Sequence, residues 1–384
     1  ESLRDGRDIE HINGLCYKSV IAPDDFLELP AFDDVRENHD SFIQMFKTFD
    51  KNTDPVTAKG LYQKHDNRFL VQNPPQEYLS PEQLDHVYEL DYENDVHPYY
   101  RAMGAVRALD TISFSITTHR GCYGECNFCA ISMHQGKTVI SRTEDSILRE
   151  AKDFTKQTKF KGIIRDAGGP TANMYGYECA QKKKIGCCLN KRCIFPDVCK
   201  ELKPDHRSQI SLLNKLRNLS GVRKVFVASG IRHDLALADK KSGYPYISEI
   251  VNHHVSGQLK LAPEHSNDKV LTYMGKPGTE SLLKFRKMFK DLSKKIGKKQ
   301  FLTYYLIAAH PGCSEEEMQS LRIFVRSKLD LTPEQVQVFT PLPSTWSSVM
   351  YYTGIDPFSG EEIFVEKDNN RKERQKRLVV GCSA

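Results

Sequence analysis

No run of the chain is long and apolar enough to span a bilayer as a helix. The longest candidate, Phe301 to Ala309, is broken by Thr303, Tyr304 and Tyr305 and falls far short of the roughly 18 residues a span requires. No basic and then apolar leader opens the sequence, which starts at Glu1 rather than Met. The chain is therefore expected to be cytoplasmic, with no membrane partner, and to continue upstream. Nor is one sign of charge in large excess. The 55 basic and 50 acidic side chains leave a net +5, concentrated at Lys182 to Lys184 and between Arg371 and Arg377, runs that are read as solvated faces before nucleic-acid patches. Tryptophan is almost missing, with one residue in 384, but 39% hydrophobic and 10% aromatic content is enough to bury a substantial core and excludes a disordered or fibrous chain.

What the chain does have is cysteine, 11 residues in all. In a reducing compartment these are not a disulfide framework, and metal ligation is the better default. Their placement agrees with this. Three fall between Cys122 and Cys129 and five between Cys179 and Cys199, while Cys16, Cys313 and Cys382 stand apart and read as ordinary thiols.

Residues 1–105 read as a mixed, loop-rich N-terminal extension, with one hairpin across Gly60 to Val71 turning at His65-Asp66-Asn67. From Thr111 the pattern changes to short β-rich runs alternating with amphipathic helices, the mark of parallel α/β architecture. Six strands are expected at Ile112–Thr117, Gly162–Asp166, Lys224–Ala228, Gln258–Ala262, Leu302–Ala308 and Gln335–Phe339. Core-facing stripes recur at Ile147/Leu148/Ala151/Phe154, Leu212/Leu213/Leu216/Leu219, Leu282/Phe285/Phe289/Leu292/Ile296 and Met318/Leu321/Val325/Leu329. Right-handed crossovers would curl such strands into a partial (β/α)6 TIM-like barrel over residues 106–345, with a cysteine-rich insertion at 171–207 and a basic tail or helix at 346–384. Chemistry is then expected just after the strands' C-terminal ends.

After the first strand comes His119-Arg120-Gly121-Cys122-Tyr123-Gly124-Glu125-Cys126-Asn127-Phe128-Cys129. Iron–sulfur cubanes normally take four thiolates, so three ligands on one loop leave an iron open for catalysis. Two other readings compete: a zinc site borrowing a distant fourth ligand, and a thioredoxin-like pair of Cys126 and Cys129, which leaves Cys122 without a role. The C-x3-C-x-aromatic-C string, with Phe128 as the aromatic, resembles the signature of the radical S-adenosylmethionine (SAM) superfamily. That resemblance implies a [4Fe-4S] cluster on Cys122, Cys126 and Cys129 whose open iron binds SAM. Reductive cleavage would yield methionine and a 5′-deoxyadenosyl radical, with an electron donor such as flavodoxin or ferredoxin.

Other strand ends are similar to parts of the same superfamily. Gly168 and Gly169 match the glycine pair beside the methionine end of SAM, where a missing Cβ permits close approach. Ser229 and Arg232 offer a hydroxyl and a guanidinium to SAM. Glu264 stands where related subfamilies usually carry Gln, and a carboxylate there still accepts hydrogen bonds. His310, in His310-Pro311-Gly312, falls in a segment resembling the one that contacts adenine.

In the insertion, four of five cysteines could close a second metal site. Adjacent Cys187 and Cys188 cannot easily both bind one metal, so Cys179, Cys188, Cys193 and Cys199 are taken as the set, for a second [4Fe-4S] cluster ahead of zinc. More narrowly, Phe114 to Cys122, His134 to Gly136, Gly168 to Tyr175 and Phe226 to Arg232 resemble YgiQ-like radical SAM proteins. This likeness runs from about Asp54 to the C-terminus, and members are similar to longer proteins with an additional N-terminal domain. The substrate is left open, and RNA is compatible with the late basic run beside Tyr351 and Tyr352. The alternative from a different class is a zinc-stabilised, basic nucleic-acid-binding module without catalysis.

Overall fold

A computed structural model describes residues 4–6 and 8–380, so Cys382 lies outside the described residues. The expected hairpin forms from Leu61–His65 and Arg68–Gln72. It belongs to a larger element, because Cys16–Ser19 pairs antiparallel with Arg68–Gln72 and Leu27–Leu29 pairs parallel with Leu61–His65. The N-terminal region is thus a four-stranded sheet followed by helices. One of these, Pro81–Tyr88, starts on a capping box between Ser80 and Gln83 with proline in its first turn.

The rest is mixed α/β. Parallel pairings connect successive segments in chain order: Ser115–Thr117 with Asp166–Gly168, Ile163–Ile164 with Lys224–Val225, Gln258–Glu264 with Phe301–Ala308, and Phe301–Ala308 with Gln337–Val338. A bridge between Ile231 and Leu261 joins the middle of the series. The ladders are short and separate, and no pairing among the described residues closes the last strand onto the first.

Several expected strand bounds are corrected. Arg107–Ile112 is helical, and the first strand begins only at Ser115, after Phe114 at φ 58°. The second is split, its two halves pairing with different neighbours. The fourth extends to Glu264 rather than stopping at Ala262, so Pro263 and Glu264 lie within the strand's irregular end and not after it.

The four helical stripes sit where periodicity puts them, on Glu144–Lys156, Arg207–Arg217, Glu280–Lys295 and Glu315–Ser327. Ile147, Leu213, Leu282 and Met318 pack with the strand residues Ile116, Val225, Leu261 and Leu306 in one continuous core. Each fully buried side chain of this kind contributes about 1.5–3 kcal/mol. The C-terminal segment is also structured: helices Trp346–Thr353 and Asn369–Val379 follow the last strand, and Gln375 and Val379 are buried. Among the described residues no helix is long and apolar enough to cross a membrane.

Candidate functional site at the cysteine loop

The first strand runs into a two-residue antiparallel ladder, His119–Arg120 against Ile140–Ser141, so residues 121–139 form a loop pinched at its neck. Gly121 enters it at φ 85°, and a Cβ there would lie 2.0 Å from the Thr138 carbonyl oxygen. Only glycine fits this turn. Arg142 secures the outgoing strand, its fully buried guanidinium donating to the Thr117 carbonyl at 3.0 Å and to Ser146 Oγ at 2.8 Å.

Inside the loop the thiols of Cys122, Cys126 and Cys129 act on one another electrostatically. The Gly124 amide donates to Cys122 Sγ at 3.4 Å. A Cβ on Gly124 would sit 3.1 Å from Cys122 Sγ and 3.8 Å from Cys126 Sγ, so the missing side chain keeps the space between the sulfurs free. Burial pushes the Cys122 thiol up and takes Cys129 up to about 12. Opposing this is Arg232, whose Nη1 lies 3.7 Å from Cys126 Sγ while its Nε donates to Asp234 Oδ1 at 2.9 Å. Three soft donors, a vacated cradle and a buried cation fit an anionic iron–sulfur group. Among the described residues no three His, Cys, Asp or Glu side chains converge on a point suited to a single metal ion.

The other expected residues fall around this loop in different ways. Gly168, Gly169 and Ser229 share a cavity of about 280 Å³ with Thr117 and Asp166. The glycines are required by protein neighbours: a Cβ on Gly168 would lie 2.8 Å from Ser229 Oγ, and one on Gly169 2.6 Å from the His119 ring. Ser229 is held by Asp166, which also accepts from the amides of Ala228 and Ser229 at 2.8 and 3.1 Å. Glu264 is buried at φ 66°, a left-handed conformation costly for a residue that carries a Cβ. Its carboxyl is pushed up by burial, with Lys276 Nζ 4.0 Å away, and its charge is felt at Cys129. His310 is fully buried, with Nδ1 against the Pro311 carbonyl at 2.8 Å and Nε2 against Ser347 Oγ at 2.7 Å. Burial drives it down to about 3, so it is neutral, and it meets Phe128 edge-on at 6.3 Å. Its nitrogens are spent within the protein, and it backs Phe128 rather than facing a ligand.

Several contributors had no role assigned from sequence. Buried His119 binds Thr118 Oγ1 at 2.9 Å and the Thr171 carbonyl at 3.0 Å. Asn173 brackets Arg232, accepting from its amide at 2.8 Å and donating to its carbonyl at 3.0 Å. Asn127 ties the loop outward, donating to the Tyr273 carbonyl at 2.8 Å and accepting from Arg192 Nη2 at 2.7 Å. Asp166 stands two residues before the glycine pair and Asn127 between two cysteines, and that proximity was the available signal.

Arg192 belongs to the insertion, where Cys179, Cys187, Cys188, Cys193 and Cys199 all border one small cavity of about 20 Å³. The buried Lys182 donates to Glu178 Oε1 at 2.9 Å and approaches Cys193 Sγ at 3.8 Å. Cys187 differs from the rest. Its amide donates to Asp54 Oδ2 at 3.2 Å, and burial together with that carboxylate pushes its thiol up. Every described cysteine is a free thiol.

Comparison with known proteins follows the same outline. The family model for the radical SAM N-terminal region matches residues 1–115. A UPF0313 protein of Fusobacterium nucleatum is 52% identical over 379 residues, covering 99% of this chain and 67% of that protein. One from Thermotoga petrophila is 46% identical over 369 residues, covering 96% and 65%, and one from Clostridium botulinum 44% over 373 residues, covering 97% and 58%. The chain thus spans two thirds or less of these relatives' length, and the likeness takes in the residues before Asp54 as well. Among solved structures, the cobalamin-dependent SAM radical enzyme OxsB aligns with TM-score 0.43 and 13% identity, over 84% of this chain and 38% of that one. The chain belongs to the UPF0313 family.

Proposed function

We propose that this chain cleaves SAM reductively at a [4Fe-4S] cluster held by Cys122, Cys126 and Cys129, on a partial (β/α)6 barrel, and passes the resulting radical to a substrate not yet identified. The observation that carries this reading is the pinched loop with its three thiols, two of them beside Gly124, and Arg232 next to Cys126. The bound cluster would supply one electron that breaks the sulfonium C–S bond, giving methionine and a 5′-deoxyadenosyl radical. Arg232 offsets thiolate charge. Phe128, backed by His310, walls the loop, and Gly168, Gly169 and Ser229 offer backbone and hydroxyl groups to SAM in the adjoining cavity. Glu264, buried beside Lys276, accepts hydrogen bonds from the ligand.

The insertion is proposed to hold a second [4Fe-4S] cluster, or zinc, on Cys179, Cys188, Cys193 and Cys199. Leaving out Cys187 is supported by the Asp54 carboxylate beside it, which disfavours a thiolate. Free thiols suit a reducing cytoplasm, with flavodoxin or ferredoxin as donor. RNA stays compatible as a substrate.

The test is anaerobic reconstitution with iron and sulfide, reduction with dithionite, and quantification of 5′-deoxyadenosine. Product is expected from the parent chain and not from Cys126→Ala, whereas Cys193→Ala loses metal only from the second group. Stoichiometric zinc at both groups without product would establish the zinc-bound nucleic-acid module instead.

A further inference from the structure

A larger cavity, of about 690 Å³, opens on the outer side of the cysteine loop. It is built by three parts of the chain: the helix His39–Lys51, the cysteine insertion, and the C-terminal segment carrying Trp346 and Phe358. It reaches the loop through Glu125 and Asn127. These two residues also border the small void lined by Cys126 and Cys129. Its volume is that of a site for one small ligand.

The charges in this cavity are unevenly committed. Asp50 and Glu125 are both taken by Lys137 Nζ, at 3.1 and 3.5 Å. Asp54 accepts from the amides of Val56 and Cys187 at 2.9 and 3.2 Å, and Asp356 from the Phe358 amide at 3.1 Å and Ser359 Oγ at 2.9 Å. By contrast Lys47, Lys51 and Lys191 line the cavity with no hydrogen bond or ion pair among the described residues. The remaining cation, Arg192, lies over the rings of Phe358 at 5.5 Å and Phe195 at 5.8 Å, and Trp346 meets Phe358 at 4.9 Å. Among the described residues the cavity therefore presents three lysines without a protein partner, with Asp54 and Asp356 as its carboxylates not paired to a cation, beside an aromatic wall.

We propose that this cavity binds a nucleoside phosphate, its phosphate against Lys47, Lys51 and Lys191 and its base against the wall of Trp346 and Phe358. Ammonium groups without protein partners select an anion, and aromatic rings lining the wall favour a planar base. SAM, which carries a sulfonium and an ammonium and no phosphate, is disfavoured there. That the ligand is the radical's target rests on the radical SAM reading, but its binding does not.

Trp346 is the chain's single tryptophan and lines both this cavity and the small void beside Cys126 and Cys129, so its fluorescence reports binding on this side of the cysteine loop, and the charge reversal assigns it to the cavity. The full 384-residue chain is titrated as purified in air, and again after anaerobic reconstitution, with adenosine and uridine monophosphates, adenosine, SAM and a 5′-phosphorylated RNA hexamer. Saturable quenching by the monophosphates, at least about tenfold tighter than by adenosine and weakened by salt, is expected and marks a free nucleotide as the source. Quenching by the hexamer alone also supports the site and marks RNA. The double change Lys51→Glu with Lys191→Glu loosens the ligand at least about tenfold while the melting temperature stays within a few degrees, both side chains being exposed. Equal quenching by adenosine and its monophosphate, tightest quenching by SAM, no quenching by any ligand, or affinity unmoved by the charge reversal would each overturn the proposal. Because the first titration needs no cluster, failure of SAM cleavage leaves its result standing.

Discussion

The two cysteine groups solve the same electrostatic problem with different means. The first places three thiols on one short loop, pinches it with a strand ladder, and brings a single cation, Arg232, from a distant strand end. The second strings five thiols along a loop and a short helix and buries its cation locally, Lys182 being neutralised by Glu178 one turn away on the same stretch. Both cations are held by a carboxylate and both reach a sulfur: Arg232 Nη1 lies 3.7 Å from Cys126 while the side chain holds Asp234, and Lys182 Nζ lies 3.8 Å from Cys193 while it holds Glu178. Arg192 couples the two, donating to the Glu125 carbonyl at 3.1 Å and to Asn127.

The strongest way to break this contrast is Arg232→Met. It leaves Asp234 buried without its counter-charge, and stability should fall by about 3–5 kcal/mol, measured by urea unfolding. Glu178→Gln should by comparison loosen the helix Ala180–Ile185 first, read as local loss of hydrogen-exchange protection. Equal global destabilisation by both would erase the distinction drawn here. A smaller effect, about 1–3 kcal/mol, is expected from Gly121→Ala, which forces a Cβ onto the Thr138 carbonyl at a positive φ. Iron uptake by the first group should fall in this variant while the second is unaffected, checked by iron content on a background lacking Cys193. The smallest is the link itself: a double-mutant cycle between Asn127→Ala and Arg192→Ala should give a coupling of about 1–2 kcal/mol, and a value near zero would mean that this contact does not join the groups.

The cysteine loop was legible because its ligands lie within a few residues of each other, where spacing alone carries the geometry. The helical stripes were legible for a similar reason, since periodicity and burial are the same fact seen twice. Strand ends were read less well. The β-branched run at Thr111 and Ile112 suggested strand, but those residues finish a helix, tertiary context overriding local preference. Glu264 was placed after its strand because proline before it signalled an end, whereas pairing with Leu306 continues through an irregular register. The short strands Cys16–Ser19 and Leu27–Leu29 carry no alternation strong enough to stand out. Roles for His119, Asn173 and Asp234 were out of reach, as each depends on a neighbour distant in sequence or on burial that composition does not reveal. At Gly168 and Gly169 a Cβ would crowd Ser229 Oγ and the His119 ring, neighbours that the sequence does not place there.

The pinched neck of the cysteine loop has a further meaning for assembly. Where a metal site is gathered only by its metal, the ion must drive folding, and losing it unravels the domain. Here the ladder, Gly121 and Arg142 close the loop before any iron arrives, so most of the entropy of bringing the sulfurs together is already spent by the polypeptide. On the proposed reading, iron and sulfide would enter a folded protein, and a chain that lost its cluster would still be shaped to be refilled.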